Sequence, residues 1–498
     1  MAVQTQATEA LRTEHLHADL KGRSVRGGLL TLISQGAQFA LQTLSTIILA
    51  RLLMPADFGI VAMVTALTGL ASAFADFGLS EATIQRKEIT HEQVSTLFWI
   101  NVVIGFGLTL ITAALGPVLV AFYREPRLLA ITLTLSLTFL FGGLRVQANA
   151  LLKRQMRFAA LAFRDVAAYM IAVPLAVGLA WRGAGYWALV ALPLTLNFSQ
   201  MAISWLLVHW RPGLPHRDKE VKSMLAFGGN VSLSYLIFNL NRSFDSVLIG
   251  RYWGASPLGL YSRAYNLLML PVRQLSTPAG NVTVPAFSRL QDDPDRFARY
   301  YLRAVGLILW ITAPLFGFLY VAAMPVIVLV LGQKWAEAAP VFQILVISAL
   351  GQLLLESTVW LFVSRGESAR LLKLLLVISP IVLCSFAVGL PFGIKGVALS
   401  GSLALLLMLP WILKFAFRGT ELTLTRVARA LCYPVALCFL SVVISSLLLQ
   451  MLHPRAILFQ LGTALLGFAI GYSISALIPS VRGEIASLKD LVKALRPA

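Results

Sequence analysis

Charge is scarce in this chain. Asp, Glu, Lys and Arg make up 13% of 498 residues and AVILMFWYC 58%, against roughly 25% and 45–50% in soluble domains. So little charge cannot coat the several soluble domains that this length would otherwise build. Cysteine is nearly absent. Cys384, Cys432 and Cys438 stand in apolar runs without metal-ligand spacing; they read as small buried residues, and a disulfide scaffold is excluded. Histidine is missing from every apolar run, since His15, His17, His91, His209, His216 and His453 fall in tails or loops. An intramembrane histidine relay is thereby excluded. There is no P-loop, HExxH or GxSxG, so neither ATP hydrolysis nor acyl transfer is signalled. The chain reads as a non-enzyme that calls for no cofactor and no metal. A cytosolic enzyme and a disordered protein are excluded by the same composition.

What is present is length after length of hydrocarbon. Mean hydropathy is +0.79, and apolar stretches of about 20 residues, enough to span a bilayer, recur almost throughout. The expected fold is an all-α polytopic membrane protein. Fourteen transmembrane helices are placed at 27–50, 58–77, 94–122, 128–151, 159–181, 185–208, 223–249, 258–284, 300–331, 338–363, 369–390, 394–416, 427–450 and 456–478. The polar segment 1–26 lacks the basic start, apolar core and small-residue cleavage site of a signal peptide and reads as a tail.

Positive charge tests this map. The net charge is +19, which taken alone suggests a nucleic-acid partner. Its placement argues against one. Of 41 Lys and Arg, 29 fall in alternate connectors or at the helix ends that flank them, beginning with the N-terminal segment, 8 in or beside the connectors between them, and 4 in the interior of spans. By the positive-inside rule both termini are cytoplasmic. The excess charge then serves orientation and contact with anionic membrane lipids. Loops on the other side are all short. The longest polar connector, His209–Lys222, faces the cytoplasm and falls between spans six and seven.

An internal repeat supports a division there. Residues 48–60 read ILARLLMPADFGI and residues 248–260 read LIGRYWGASPLGL. Shifted by 200, Arg51 meets Arg251, Gly59 meets Gly259, Ala50 meets Gly250 and Gly28 meets Gly228 without a gap. Six spans per repeat give two lobes of the same orientation, related by an axis along the membrane normal, with the substrate path between them. The expected organisation is a tail 1–26, an N-terminal lobe 27–208, a linker 209–222, a C-terminal lobe 223–418, two extra helices within 419–479 and a tail 480–498.

Polar groups in hydrocarbon are costly, so their positions carry information. Gln35, Gln38, Gln42 and Ser45 share one face of the first helix, and Thr65, Thr68, Ser72 and Asp76 one face of the second. Tyr235, Asn239, Arg242 and Ser246 do so in the seventh, with Asp245 beside Arg242. In the eighth, Asn266, Arg273, Thr277 and Gly280 share a face, with Arg263 about a quarter-turn away. Arg145 with Asn149, and Gln352 with Glu356, are i/i+4 pairs. Interhelical hydrogen bonding, worth about 0.6–2 kcal/mol each, suits Thr65, Thr68, Ser72 and Ser246. Snorkelling or capping suits Asp76 and the Arg164–Asp165 pair. Arg51 and Arg251, at external helix ends, suit anchors or a gate latch. The arginines Arg145, Arg242, Arg263 and Arg273 are different, because each costs about 2.5–3.5 kcal/mol at a helix centre. Asp245 and Glu356 neutralise at most two of them. Surplus guanidinium in a cavity suits a phosphorylated or pyrophosphorylated ligand. The expected ligand set is therefore Arg145, Arg242, Arg263 and Arg273 with Gln42, Asn149 and Asn266. Asp245, Glu356 and Asp76 are expected as ion-coupling groups or counter-charges.

The segments ARLLMPADFGIVAM (50–63), FADFGLSEATIQRKEIT (74–90), STLFWIN (95–101) and LLKRQMRFAALAFRD (151–165) resemble the polysaccharide-transporter branch of the MOP superfamily, the Wzx-type lipid-linked oligosaccharide flippases. The resemblance covers the first 210 residues; the second half matches in layout. It implies two six-helix lobes in a V around a central cavity, alternating access, and an undecaprenyl-pyrophosphate-linked oligosaccharide as cargo for exopolysaccharide, capsule or O-antigen synthesis. It also implies cavity arginines that hold the pyrophosphate, with a polysaccharide polymerase and a chain-length regulator as working partners. A cation-coupled multidrug or metabolite antiporter of the same superfold is the alternative, but it would prefer acidic, aromatic cavities. A membrane-embedded glycan polymerase would need a sizeable external loop with acid and base groups, which the chain lacks. A scaffold would not need four costly arginines.

Overall fold

The structure, a computed structural model, describes residues 20–71, 78–86, 89–216 and 243–475. Among these residues every long element is a helix, the form in which an apolar segment satisfies its own backbone polar groups. In chain order they are α1 (Leu20–Leu52), α2 (Pro55–Ala71), α3 (Leu79–Gln85), α4 (His91–Ala114), α5 (Gly116–Tyr123), α6 (Leu128–Arg154), α7 (Phe158–Trp181) and α8 (Tyr186–Leu207). A helical stretch at 243–253 is α9. Then come α10 (Ala255–Ser288), α11 (Pro294–Val321), α12 (Ala323–Leu331), α13 (Ala338–Ser364), α14 (Ser368–Gly389), α15 (Gly393–Ala416), α16 (Leu424–Leu452) and α17 (Ile457–Ser475).

Local chemistry sets the ends. Thr90 and Gln93 form a reciprocal capping box at the start of α4. Asp293 and Thr423 accept the backbone N–H groups of Arg296 and Arg426 and start α11 and α16. Arg124, at φ 57°, ends α5 in the left-handed region. In the following connector Arg127 donates to Glu125 through Nε and Nη2, both at 2.8 Å. That hydrogen bond holds the Glu125 carboxyl below its ordinary pKa.

Nine helical runs among the described residues are long and apolar enough to cross a bilayer. The longest, Ser368–Ala416, holds α14 and α15, which pack against one another. Neither α1 nor α10 is among the nine, although each exceeds 30 residues. Both carry the polar stripes, Gln35, Gln38 and Gln42 on one and Arg263, Asn266 and Arg273 on the other, which lower their mean hydropathy. The expected span 223–249 lies largely outside the described residues.

The chain divides into two compact units, residues 1–259 and 260–498. In the first, α6 packs against α4 and α8, and α7 against α8 and α1. Glycines permit the closest crossings. A Cβ on Gly143 would stand 2.5 Å from the Asn101 carbonyl oxygen, and one on Gly105 2.7 Å from that of Phe139. A second crossing, between α2 and the start of α10, is reciprocal. A Cβ on Gly59 would stand 1.7 Å from the Ala255 oxygen, and one on Gly259 1.9 Å from the Pro55 oxygen. Residues 55 and 255, like 59 and 259, stand 200 apart, the offset of the expected repeat, and the two contacts mirror one another.

Past α8 the chain lies down on α4. Trp210 is fully buried and donates from Nε1 to His91 Nδ1 at 3.0 Å. Ser95 Oγ accepts from Gly213 N at 2.9 Å. The second unit centres on Tyr301, Phe362 and Phe417, with Tyr301 hydrogen-bonded to Ser357 at 2.8 Å. There α16 packs on α11 and α17, and a Cβ on Gly467 or Gly471 would overlap Ser445 or Ser441.

Candidate functional site

The described helices bring one set of intramembrane charges together, at the meeting of α6, α7 and α8 in the first unit. Arg145 and Asn149 lie one turn apart on α6, Arg164 and Asp165 near the start of α7, and Gln200 and Ser204 one turn apart on α8. Arg164 donates from Nε at 2.9 Å and from Nη2 at 2.6 Å to Asp165 Oδ1. Its Nη1 donates to Asn149 Oδ1, which also accepts from Ser204 Oγ at 3.2 Å. Gln200 Nε2 donates to Asp165 Oδ1 at 3.1 Å, and Gln200 Oε1 accepts from Arg145 Nη1. One carboxylate therefore holds one guanidinium directly and is linked to a second through the Gln200 amide. The Arg164 side chain is 10% exposed and that of Asp165 19%; Arg145, Asn149 and Gln200 are half-buried. The cluster is thus largely desolvated without being sealed, and charges in such surroundings act more strongly than in water.

Of these six, Arg145 and Asn149 are in the expected ligand set, Arg164 and Asp165 are expected only to snorkel or cap, and Gln200 and Ser204 carry no expected role. Arg164 and Asp165 suited snorkelling because they fall near a helix end. In the structure Arg164 is buried and bonded across two helices. Gln200 and Ser204 give the signal that could have found them: an i/i+4 polar pair in an apolar span, like Arg145 with Asn149. Arg154, five residues past Asn149 on the same helix, has a structural task. It is buried and donates to the carbonyls of Thr83, at 3.0 Å, and Arg86, at 2.5 Å, where a cation complements the C-terminal end of α3.

The other expected site residues lie on other elements. Arg242 and Asp76 lie outside the described residues. Arg263, half-buried, and Asn266 and Arg273, exposed, are on α10 in the second unit; Glu356, half-buried, is on α13 there. Gln42 is exposed on α1, its carbonyl accepting from Ser45 and Thr46. Asp245 is buried on α9, its Oδ1 accepting from Ser246 N at 2.5 Å and Ser246 Oγ at 3.1 Å. Arg51 ends α1, exposed. The Arg251 guanidinium carbon lies 5.7 Å from the centre of the Phe122 ring and 5.8 Å from that of Tyr252, an arrangement that fixes its head group. No cluster of His, Cys, Asp and Glu able to hold a metal occurs among the described residues.

A family model described as "Polysaccharide biosynthesis protein" matches residues 48–340, more than half of the chain. The chain belongs to this family. Its membership agrees with the resemblance of residues 50–165 to the Wzx-type flippases. The lipopolysaccharide biosynthesis protein WzxC of Escherichia coli is 26% identical over 337 residues, covering 66% of this chain and 68% of the relative. The succinoglycan biosynthesis transport protein ExoT of Rhizobium meliloti is 25% identical over 322 residues, 64% of each. Among solved structures, the lipid II flippase MurJ in an inward closed conformation superposes with a TM-score of 0.67 at 13% identity, covering 90% of this chain and 99% of MurJ. An inward-facing multidrug-resistance MATE transporter superposes at 0.54 and 14% identity, covering 77% and 96%. This family member is therefore a multi-pass membrane protein with the MurJ and MATE fold, related to polysaccharide biosynthesis transport proteins.

Proposed function

We propose that the protein is a flippase, not an enzyme. It moves an undecaprenyl-pyrophosphate-linked oligosaccharide from the cytoplasmic to the outer leaflet of the bacterial inner membrane by alternating access. Fourteen spans in two six-helix lobes, 27–208 and 223–418, followed by two extra helices, are the architecture assumed, with both termini cytoplasmic. A polymerase and a chain-length regulator would consume its product. The observation that carries this reading is the α6–α7–α8 cluster. Two desolvated guanidiniums against one carboxylate suit a phosphate-bearing head group and oppose a cationic drug. Arg242, Arg263 and Arg273 would extend the same role to the second half of the chain, and Gln42 and Asn266 are assigned to ligand binding as well. Asp245, Glu356 or Asp76 would carry ion coupling, and Arg51 and Arg251 would latch the outer end.

A strain lacking the protein should accumulate lipid-linked repeat units on the cytoplasmic leaflet. Losing one desolvated charge contact costs about 2–5 kcal/mol, so Arg145→Ala should restore less than about a tenth of export while inserting normally. Full export by Arg145→Ala and Arg273→Ala alike would sink the cationic-site assignment. Unchanged drug resistance on overexpression is expected; raised resistance would favour the antiporter.

A further inference from the structure

Asp165 engages Arg164 in the way an oxyanion does. Its Oδ1 takes the Nε–Nη2 edge of Arg164, the edge with which a guanidinium grips carboxylate or phosphate. Arg145 joins the same knot only through Gln200, whose amide nitrogen faces Asp165 and whose amide oxygen faces Arg145. Among the described residues no carboxylate is in ion-pair contact with Arg145, which lies within electrostatic reach of both Arg164 and Asp165. One carboxylate thus organises two cations, one directly and one through an amide.

We propose that Asp165 is an internal stand-in for the phosphate of the ligand: it holds both guanidiniums in the empty site, a diphosphate displaces it, and its return helps to expel the cargo. This inference rests on the flippase reading. A transporter must release what it binds, and two bare guanidiniums in a low-dielectric site would hold a diphosphate too long. A tethered carboxylate competes for the same donors. It lies on one helix with Arg164, so it remains beside the site while cargo is bound and repels it. Gln200 is a positioning residue, because turning its amide uncouples Arg145 from Asp165. A purely structural counter-charge would behave differently. Its removal would weaken the fold and leave anion affinity the same or lower.

The test uses the full chain purified into nanodiscs, titrated by calorimetry with inorganic pyrophosphate and, separately, farnesyl diphosphate at fixed ionic strength. Asp165→Asn should bind both about tenfold more tightly than wild type, as expected when a charge-assisted competitor is lost. Adding Arg164→Ala should remove the gain. Tighter farnesyl diphosphate binding places the phosphate on a lipid, and equal binding places it on a soluble anion; with the Asp165→Asn gain, either upholds the stand-in. Equal or weaker binding by folded Asp165→Asn overturns it. Should Asp165→Asn fail to fold, Gln200→Leu keeps every charge and cuts the bridge. A gain of about threefold is then expected, and none overturns the proposal. If wild type binds and the variants show no gain, only the stand-in falls. If no protein binds either probe, the stand-in falls and the export test alone decides the flippase reading.

Discussion

Replacing Gly59 by alanine tests the reciprocal crossing of α2 and α10. The new Cβ would lie 1.7 Å from the Ala255 carbonyl oxygen, whereas ordinary non-bonded contact begins near about 3.5 Å. The two backbones must therefore part by more than an ångström. Overpacking costs about 1–3 kcal/mol when side chains can yield. Here the opposing atom is backbone, which places the cost near the top of that range. Alanine returns about 0.5–1 kcal/mol through its better helix propensity, so a net loss of about 2 kcal/mol is expected. Gly259→Ala meets the Pro55 oxygen at 1.9 Å and should cost a similar amount. The double variant should cost less than the sum, because the first methyl already separates the pair. Denaturant unfolding of the purified protein reads the totals. Hydrogen exchange of amides 55–63 and 255–263 reads where they act, both stretches losing protection in either variant. Unchanged stability and unchanged exchange in Gly59→Ala would refute the close-packing argument, and strict additivity would refute the shared interface.

Further outcomes follow from other contacts. Trp210→Ala empties a fully buried site and abandons the His91 hydrogen bond; a loss of about 3–5 kcal/mol is expected, and limited proteolysis should then cut between 208 and 216 much faster. Gly467→Leu should force α17 off α16 and speed amide exchange in those two helices while leaving α4 to α8 unchanged. Glu125→Gln should cost no more than about 1 kcal/mol, because the Arg127 side chain is 51% exposed and solvent screens the pair. The Glu125 pKa is lowered in the folded protein, so its contribution is present above the ordinary carboxylate pKa of about 4.3 and fades as pH falls below it. Wild type and Glu125→Gln should therefore converge in stability in acid; a difference that persists there would point to a cause other than the ion pair.

Much of the fold is legible in the sequence because a bilayer leaves the backbone few options. The expected segments 128–151, 159–181, 185–208 and 338–363 differ by three residues or fewer from the observed α6, α7, α8 and α13. Hydropathy finds them, and turn or capping residues close them. Breaks within a run were less legible. The expected span 94–122 is two helices meeting at Leu115, and 300–331 is two meeting at Ala322; hydropathy stays high across both breaks, and only Gly116–Pro117 and Pro325, in the first turn of each second helix, mark them. The candidate site was half legible. Arg145 and Asn149 stand out in mid-span, where charge is expensive. Arg164 and Asp165 lie near a helix end, where position alone does not separate a side chain reaching for water from one turned inward. Only the helix pairing, which brings Gln200 within reach, decides it.

The glycine crossing also bears on ancestry. When residue 59 touches 255 and residue 259 touches 55, each of the two segments offers the other the same kind of patch, as in the isologous interface of a twofold homodimer. A half-length precursor needs no new surface to associate in this way; two copies already complement each other. Gene fusion would then preserve a contact that existed between separate molecules, and either glycine could not drift alone without spoiling the fit.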